Sequence, residues 1–234
     1  MTLRCLALDG SGPLGGVALL EGDRLVESTS CPEGSGFGVT LYARVEHLLT
    51  QHHVTVADLG LLTVTLGPGS FTGLRFALGL AKGMALVHGI PILGISTLAL
   101  QAEASQGNHP WILPLRDAGQ GLLFFGLYHA LADGLREVIP PSMGRLADMS
   151  ARLQATIPGE TPLCCGPGVA THLEGLETMR CHVPDHPHAQ PSAALLGLMG
   201  LNRWRHGAQP AALNLEPLYL RPPQAQMQRL ASGT

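Results

Sequence analysis

The sequence predicts an α/β protein built as two halves of similar plan, and three observations carry that expectation. Short apolar, β-branched stretches alternate with helical ones over residues 3–105. A second series of strand-like stretches opens after Gln106-Gly107-Asn108-His109-Pro110, a boundary marked by turn residues. Residues 61–94 read as one complete strand-helix-strand unit. With 234 residues and 45% hydrophobic content, the chain can bury a core as one large or two small domains.

In chain order, residues 3–8 form a buried strand, Asp9-Gly10-Ser11-Gly12-Pro13 a turn, and residues 15–20 a returning strand. Glu21-Gly22-Asp23-Arg24 turns the chain into residues 25–30, which closes a three-stranded antiparallel meander with an acid at the tip of its glycine-rich hairpin. After the loop 31–38, residues 40–53 carry Leu41, Val45, Leu48 and Leu49 on one helical face. Residues 61–66 are continuously apolar or β-branched and end in Gly67-Pro68-Gly69, where a strand must stop. Ser70 stands at an N-cap position before a proline-free helix over 71–87; Gly89 stops it and Pro91 forbids continuation. Ile92-Leu93 begins another strand, and Ser96-Thr97-Leu98 opens a helix with Leu98, Ala102 and Ser105 on one side.

Beyond the boundary, strands are expected at 111–115, 121–129 and 135–139, a helix at 143–156, a short strand at 162–165 and a helix at 169–176. A last helix is expected at 189–206, with Leu195, Leu198 and Leu201 among its apolar positions. The second half repeats the element order of the first without a visible sequence repeat.

The helix over 71–87 has an unusual surface. Gly73, Ala77, Ala81 and Ala85 fall four apart and form a ridge of small side chains, with Gly79 and Gly83 as a second one. A glycine inside a helix costs about 1 kcal/mol relative to alanine, so close packing against a neighbour must offset it. That neighbour is either the rest of the fold or another chain. Arg75 and Lys82 exclude a membrane span.

Composition excludes other classes. Basic and acidic residues number five and eight up to Pro110 and nine and nine afterwards, so neither half is a basic platform for nucleic acid. Five cysteines without a C-x-x-C pair argue against a disulfide framework or a zinc ribbon and fit a reducing cytoplasm. The first nine residues have no export-signal apolar core, so no export is expected. The Gly67-Ser70 turn presents free N–H groups to an anion, yet G-x-x-x-x-G-K-[ST] is absent and the single lysine, Lys82, lies mid-helix. Cys181-His182-Val183-Pro184-Asp185-His186-Pro187-His188 is rich in metal-ligand types, but its prolines leave no helical face for His182 and His186, and no metal is expected there. Neither Ser35 nor Ser70 sits in G-x-S-x-G.

Gly67-Pro68-Gly69-Ser70-Phe71-Thr72-Gly73-Leu74-Arg75, followed by Ala81-Lys82-Gly83-Met84-Ala85, Gly94-Ile95-Ser96-Thr97-Leu98 and Pro217-Leu218-Tyr219-Leu220-Arg221, resembles the TsaB (YeaZ) family of bacterial tRNA threonylcarbamoyladenosine proteins. Three positions depart from the family pattern: Asp9-Gly10-Ser11-Gly12 replaces an Asp-Thr-Ser-Thr turn, Phe37-Gly38 a His-Ser pair, and Arg116-Asp117-Ala118 an Asp-Ala-Arg motif. The resemblance implies a two-lobed actin/Hsp70/sugar-kinase-like (ASKHA) fold, with lobes at 1–105 and 106–222 and a mobile tail at 223–234. It implies a cytoplasmic scaffold with no catalytic residue, metal or cofactor of its own, ATP or ADP and magnesium belonging to the complex.

The implied partners are a TsaD-like subunit that holds the active centre and a TsaE-like ATPase; tRNA is met only through the complex, and the isolated chain pairs with itself. The assembly moves threonylcarbamoyl onto N6 of adenosine 37 in tRNAs reading codons that begin with A. The first two helices of the first lobe make the partner contact, which assigns it Leu41, Val45, Leu48, Gly73, Leu74, Ala77, Leu78, Ala81 and Ala85. On that assignment Ala81→Trp spares the fold and loses the partner. Any nucleotide contact falls to Asp9, Gly10, Ser11 and Gly12. Asp9 would hold a magnesium-bound phosphate, as the equivalent acid does in kinases of this fold, or simply close its hairpin. The alternative reading is an ASKHA-type kinase or ATPase acting alone; a metallopeptidase resting on the 182–188 histidines is a third.

Overall fold

A computed structural model describes residues 2–12, 15–31, 37–105, 107, 109–132, 134–184, 191–210 and 214–220. The expected tail and His186 and His188 lie outside the described residues. The chain divides into two units, 1–106 with 189–217, and 107–188 with the residues from 218 on.

In the first unit β1 (Arg4–Asp9), β2 (Gly16–Glu21) and β3 (Arg24–Ser30) form the antiparallel meander. Helix α1 (Phe37–Gln51) follows, then β4 (Leu61–Gly67), α2 (Phe71–His88), β5 (Ile92–Ser96) and α3 (Thr97–Ala104). The sheet order is β3-β2-β1-β4-β5, with β4 parallel to both β1 and β5. Strands covered on both faces read as near-continuous apolar or β-branched runs, which is why β1 is apolar from Cys5 to Leu8 and why the two threonines of β4, Thr63 and Thr65, are as buried as Leu62 and Val64 beside them. Leu6, Leu8, Leu62 and Val64 point to one face, into a core shared with Leu41, Val45 and Leu48 of α1 and Ala77, Leu78 and Ala81 of α2. The expected caps are in place: Ser70 Oγ accepts from the Gly73 N–H at 3.2 Å, Ser96 Oγ from Ala99 at 3.0 Å, and Gly89 closes α2 with φ 69°.

The second unit repeats the meander in β6 (Trp111–Gly119), β7 (Leu122–Leu131) and β8 (Gly134–Gly144), then adds α4 (Leu146–Thr156), β9 (Leu163–Cys165), α5 (Gly168–Thr171) and α6 (Leu173–Glu177). Its sheet order is β8-β7-β6-β9, with β9 parallel to β6. Leu113, Leu115, Phe125, Leu127, Met149 and Leu153 are among its core residues. Two expectations are corrected here. Strand β8 runs through Pro140-Pro141 to Gly144 and takes Met143 from the expected helix; it is the sheet edge, and its register against β7 shifts between Phe125 and Leu127, so the two prolines sit in a bulge opposite one residue. The helix expected at 169–176 is broken at His172, whose φ of −122° separates α5 from α6.

The last helix, α7 (Ala193–Arg205), corrects the domain boundary: it belongs to the first unit, not to a lobe spanning 106–222. Its buried face is Ala193, Leu196, Gly197 and Gly200 with Leu201, whereas Leu198 is exposed. A Cβ on Gly197 would come within 2.2 Å of Leu20 Cδ1, and one on Gly200 within 1.8 Å of Thr63 Cγ2. These two glycines let α7 lie on the second face of the β1-β2-β4 sheet, opposite α1 and α2.

Candidate partner-binding surface

The motif at 67–75 builds two things, a turn and a helix. In the turn, Asp9 is 3% exposed, and its Oδ1 accepts from the Ser11 N–H at 2.9 Å and the Thr65 hydroxyl at 3.0 Å. Thr65 Oγ1 in turn accepts from the Gly10 N–H at 3.0 Å. The Ser70 N–H donates to the Ser11 carbonyl at 2.9 Å, so the Asp9–Gly12 turn and the Gly67–Ser70 turn are tied together. Bare backbones make this approach possible. A Cβ on Gly10 would lie 2.2 Å from the Gly73 carbonyl oxygen, and one on Gly69 2.1 Å from that of Ser11. Asp9 is therefore engaged by its own hairpin and by β4. Of the residues expected to contact a nucleotide, Gly10 faces Gly73, and Ser11 is buried against Gly69. Sequence reasoning missed Thr65, whose signal was a second polar residue two positions from Thr63 in an otherwise apolar strand.

The two small ridges of α2 face opposite ways. Gly73, Ala77, Ala81 and Ala85 are buried, as are Leu74 and Leu78 beside them and Leu41, Val45 and Leu48 on α1. All nine residues assigned to a partner contact are thus interior. The correction has a simple cause: at 3.6 residues per turn, the ridge that matches the sheet is the one carrying the leucines. The second ridge faces outward. Gly79 and Gly83 are exposed, and a Cβ built on either meets no atom within 4 Å.

Around that ridge the surface is apolar. Phe76 is 39% exposed, Leu86 69% and Val87 75%, while α1 presents Val39 at 78% and Tyr42 at 53%. Gly38 in the first turn of α1 lies against the Phe76 ring, where a Cβ would approach to 2.4 Å. Arg75 stacks its guanidinium 3.7 Å from the centre of the Phe71 ring. Scattered exposed hydrophobes are normal, but here they collect on two adjoining helices around two open glycines, the pattern of a surface made to be covered.

The remaining candidates are quieter. His182 stacks on His109 with ring centroids 4.6 Å apart, and among the described residues no three His, Cys, Asp or Glu side chains converge. Burial pushes the Cys5 thiol up to about 12. A hydrogen bond with Cys181, together with burial, pushes the Cys164 thiol up, and the same bond draws the Cys181 thiol down from its ordinary value.

The family model described as "TsaD: tRNA N6-adenosine threonylcarbamoyltransferase" matches residues 38–161, more than half of the chain. The "tRNA threonylcarbamoyladenosine biosynthesis protein TsaB" of Bacillus subtilis is 34% identical over 145 residues, 61% of this chain and 62% of that one. This chain belongs to the TsaB (YeaZ) family. The TsaB protein of Escherichia coli is 32% identical over 93 residues, so the matched stretch spans 40% of that relative and 62% of the Bacillus one. A solved structure, "YeaZ from Pseudomonas aeruginosa", superposes with a TM-score of 0.74 at 25% identity, covering 93% of this chain and 100% of that one. The two mixed sheets flanked by helices are the TsaB version of the ASKHA fold, as the motifs implied. Among the described residues no helix is long and apolar enough to cross a membrane.

Proposed function

We propose that this TsaB-family chain is a non-catalytic scaffold subunit in the formation of threonylcarbamoyladenosine in tRNA. In this reading it docks a TsaD-like subunit through the outward faces of α1 and α2, and a TsaE-like ATPase joins the pair. The assembly transfers threonylcarbamoyl to N6 of adenosine 37 of tRNAs that read ANN codons. Without its partner, the same face pairs two copies of the chain.

The observation that carries the reading is the exposed Gly79-Gly83 ridge set among Phe76, Leu86 and Val39. Two exposed glycines in the middle of an 18-residue helix weaken it by about 2 kcal/mol relative to alanine. Close approach of another helix offsets that loss, and the apolar rim supplies the area to bury. The names of the curated relatives support the process, and the engagement of Asp9 within its own turn supports placing the chemistry on the partner.

The test is calorimetric titration of the purified chain with a TsaD-type subunit. Binding at micromolar concentration or tighter is expected, together with its loss in Leu86→Glu while the thermal midpoint of the free variant stays within a degree or two. No heat from the unaltered chain at that concentration would sink the proposal.

A further inference from the structure

Helix α3 is buried over its first six residues: Thr97, Leu98, Ala99, Leu100, Gln101 and Ala102 are each at most 3% exposed. Four of these six are apolar, as a stretch of helix with no solvent face requires. Two are not. Thr97 Oγ1 and both Gln101 side-chain polar atoms are buried, and no described residue offers any of them a hydrogen bond. Leaving three such atoms unmet would cost a large share of the net stability of a domain, so native interiors seldom do it.

The two residues stand four apart, on one side of the helix, with Cβ atoms about 5–6 Å from each other. Side chains so placed can reach one shared hydrogen-bonding partner. We infer that Thr97 and Gln101 bind one internal water molecule, which donates to Gln101 Oε1 and accepts from both the Thr97 hydroxyl and the Gln101 amide. Water is the occupant because it is the smallest group with two donors and two acceptors, and side chains with no exposure to solvent, themselves uncharged, offer nothing to neutralise an ion. The inference gives a role to Thr97, the polar residue at the start of α3 in the Gly94-Ile95-Ser96-Thr97-Leu98 motif. Ser96 caps the helix from outside, and Thr97 holds solvent within.

The test uses the shape-matched variants Thr97→Val and Gln101→Met, alone and together, with a crystal structure of the unaltered full chain at 1.8 Å or better, a resolution chosen at roughly the level where single waters are visible. Each single variant is expected to lower the thermal midpoint by roughly 2–4 °C, the scale of one lost hydrogen bond in a chain of this size. The double variant is expected to lose less than the sum, because the same water leaves only once. The crystal is expected to show one water within about 3.2 Å of both side chains. Single variants that keep or raise the midpoint, effects that add fully, or a direct Thr97–Gln101 contact without water would each overturn the inference. Should a variant fail to fold, the crystal structure decides alone.

Discussion

Replacing both outward glycines of α2 by alanine should move stability and partner affinity in opposite directions. A Cβ at Gly79 or Gly83 enters open space, so Gly79→Ala and Gly83→Ala create no clash in the free chain. Each removes the conformational penalty of glycine in a helix interior, about 0.8–1.0 kcal/mol, for a joint gain of about 2 kcal/mol. For a chain of 234 residues this raises the thermal midpoint by about 4–8 °C. A partner helix seated on the same ridge meets two new methyl groups, and an overpacked contact costs about 1–3 kcal/mol, roughly 5- to 150-fold in Kd. Thermal unfolding followed by calorimetric titration with a TsaD-type subunit reads both numbers on one preparation. A lower midpoint would mean that positions 79 and 83 are not open. A higher midpoint with unchanged affinity would mean that the glycines serve no close approach, and the docking face would have to be sought elsewhere.

Four further outcomes are expected. Gly10→Ala forces a Cβ to 2.2 Å from the Gly73 carbonyl and separates the two turns, at a cost of about 2–4 kcal/mol, visible as a fall in the urea midpoint at unchanged m-value. Ala81→Trp, fully buried, abolishes the cooperative unfolding transition instead of sparing the fold; a normal transition by circular dichroism would refute the inward assignment of its ridge. A thiol reagent should label Cys181 before Cys5, Cys164 or Cys165, as it alone of these four is not fully buried, and mass mapping of the first adduct checks this. Glu21 is held below its ordinary value of 4.5 by hydrogen bonds from Arg4 and then Arg24, so its contribution is present above that pH and lost as pH falls through the depressed value. Glu21→Gln should therefore differ from the unaltered chain at neutral pH and converge with it in acid, as thermal midpoints across pH would show.

Much of the first unit could be read directly from residues, because its signals are local. Ser70, Gly89 and Ser96 mark helix ends by chemistry that acts within four residues, and all three act as expected. The turn at 67–69 was equally legible. What the sequence could not decide was which ridge of α2 faces inward, since Gly73-Ala77-Ala81 and Gly79-Gly83 are both small. The decision rests on Leu74 and Leu78, which follow the first ridge into the core. The placement of α7 is a non-local fact. Gly197 and Gly200 look like flaws in a helix until Leu20 and Thr63, far earlier in the chain, are seen beneath them. The end of the strand expected at 139 fell short for a similar reason, since Pro140-Pro141 are tolerated only because the strand is an edge with a bulge there, which is a property of the whole sheet.

The return of α7 to the first sheet has a consequence for how the protein is made. Residues 107–188 are threaded between two parts of one core, and the ribosome delivers the meander and β4 long before the helix that covers their second face. Until residue 205 has emerged, Ala7, Leu20 and Thr63 have no lid, and the nascent first half carries a bare sheet through most of translation. An amino-terminal fragment ending near residue 106 would be left permanently in that state. Such a fragment should be sticky and should need either a chaperone or a separately supplied peptide of residues 191–210 to become soluble.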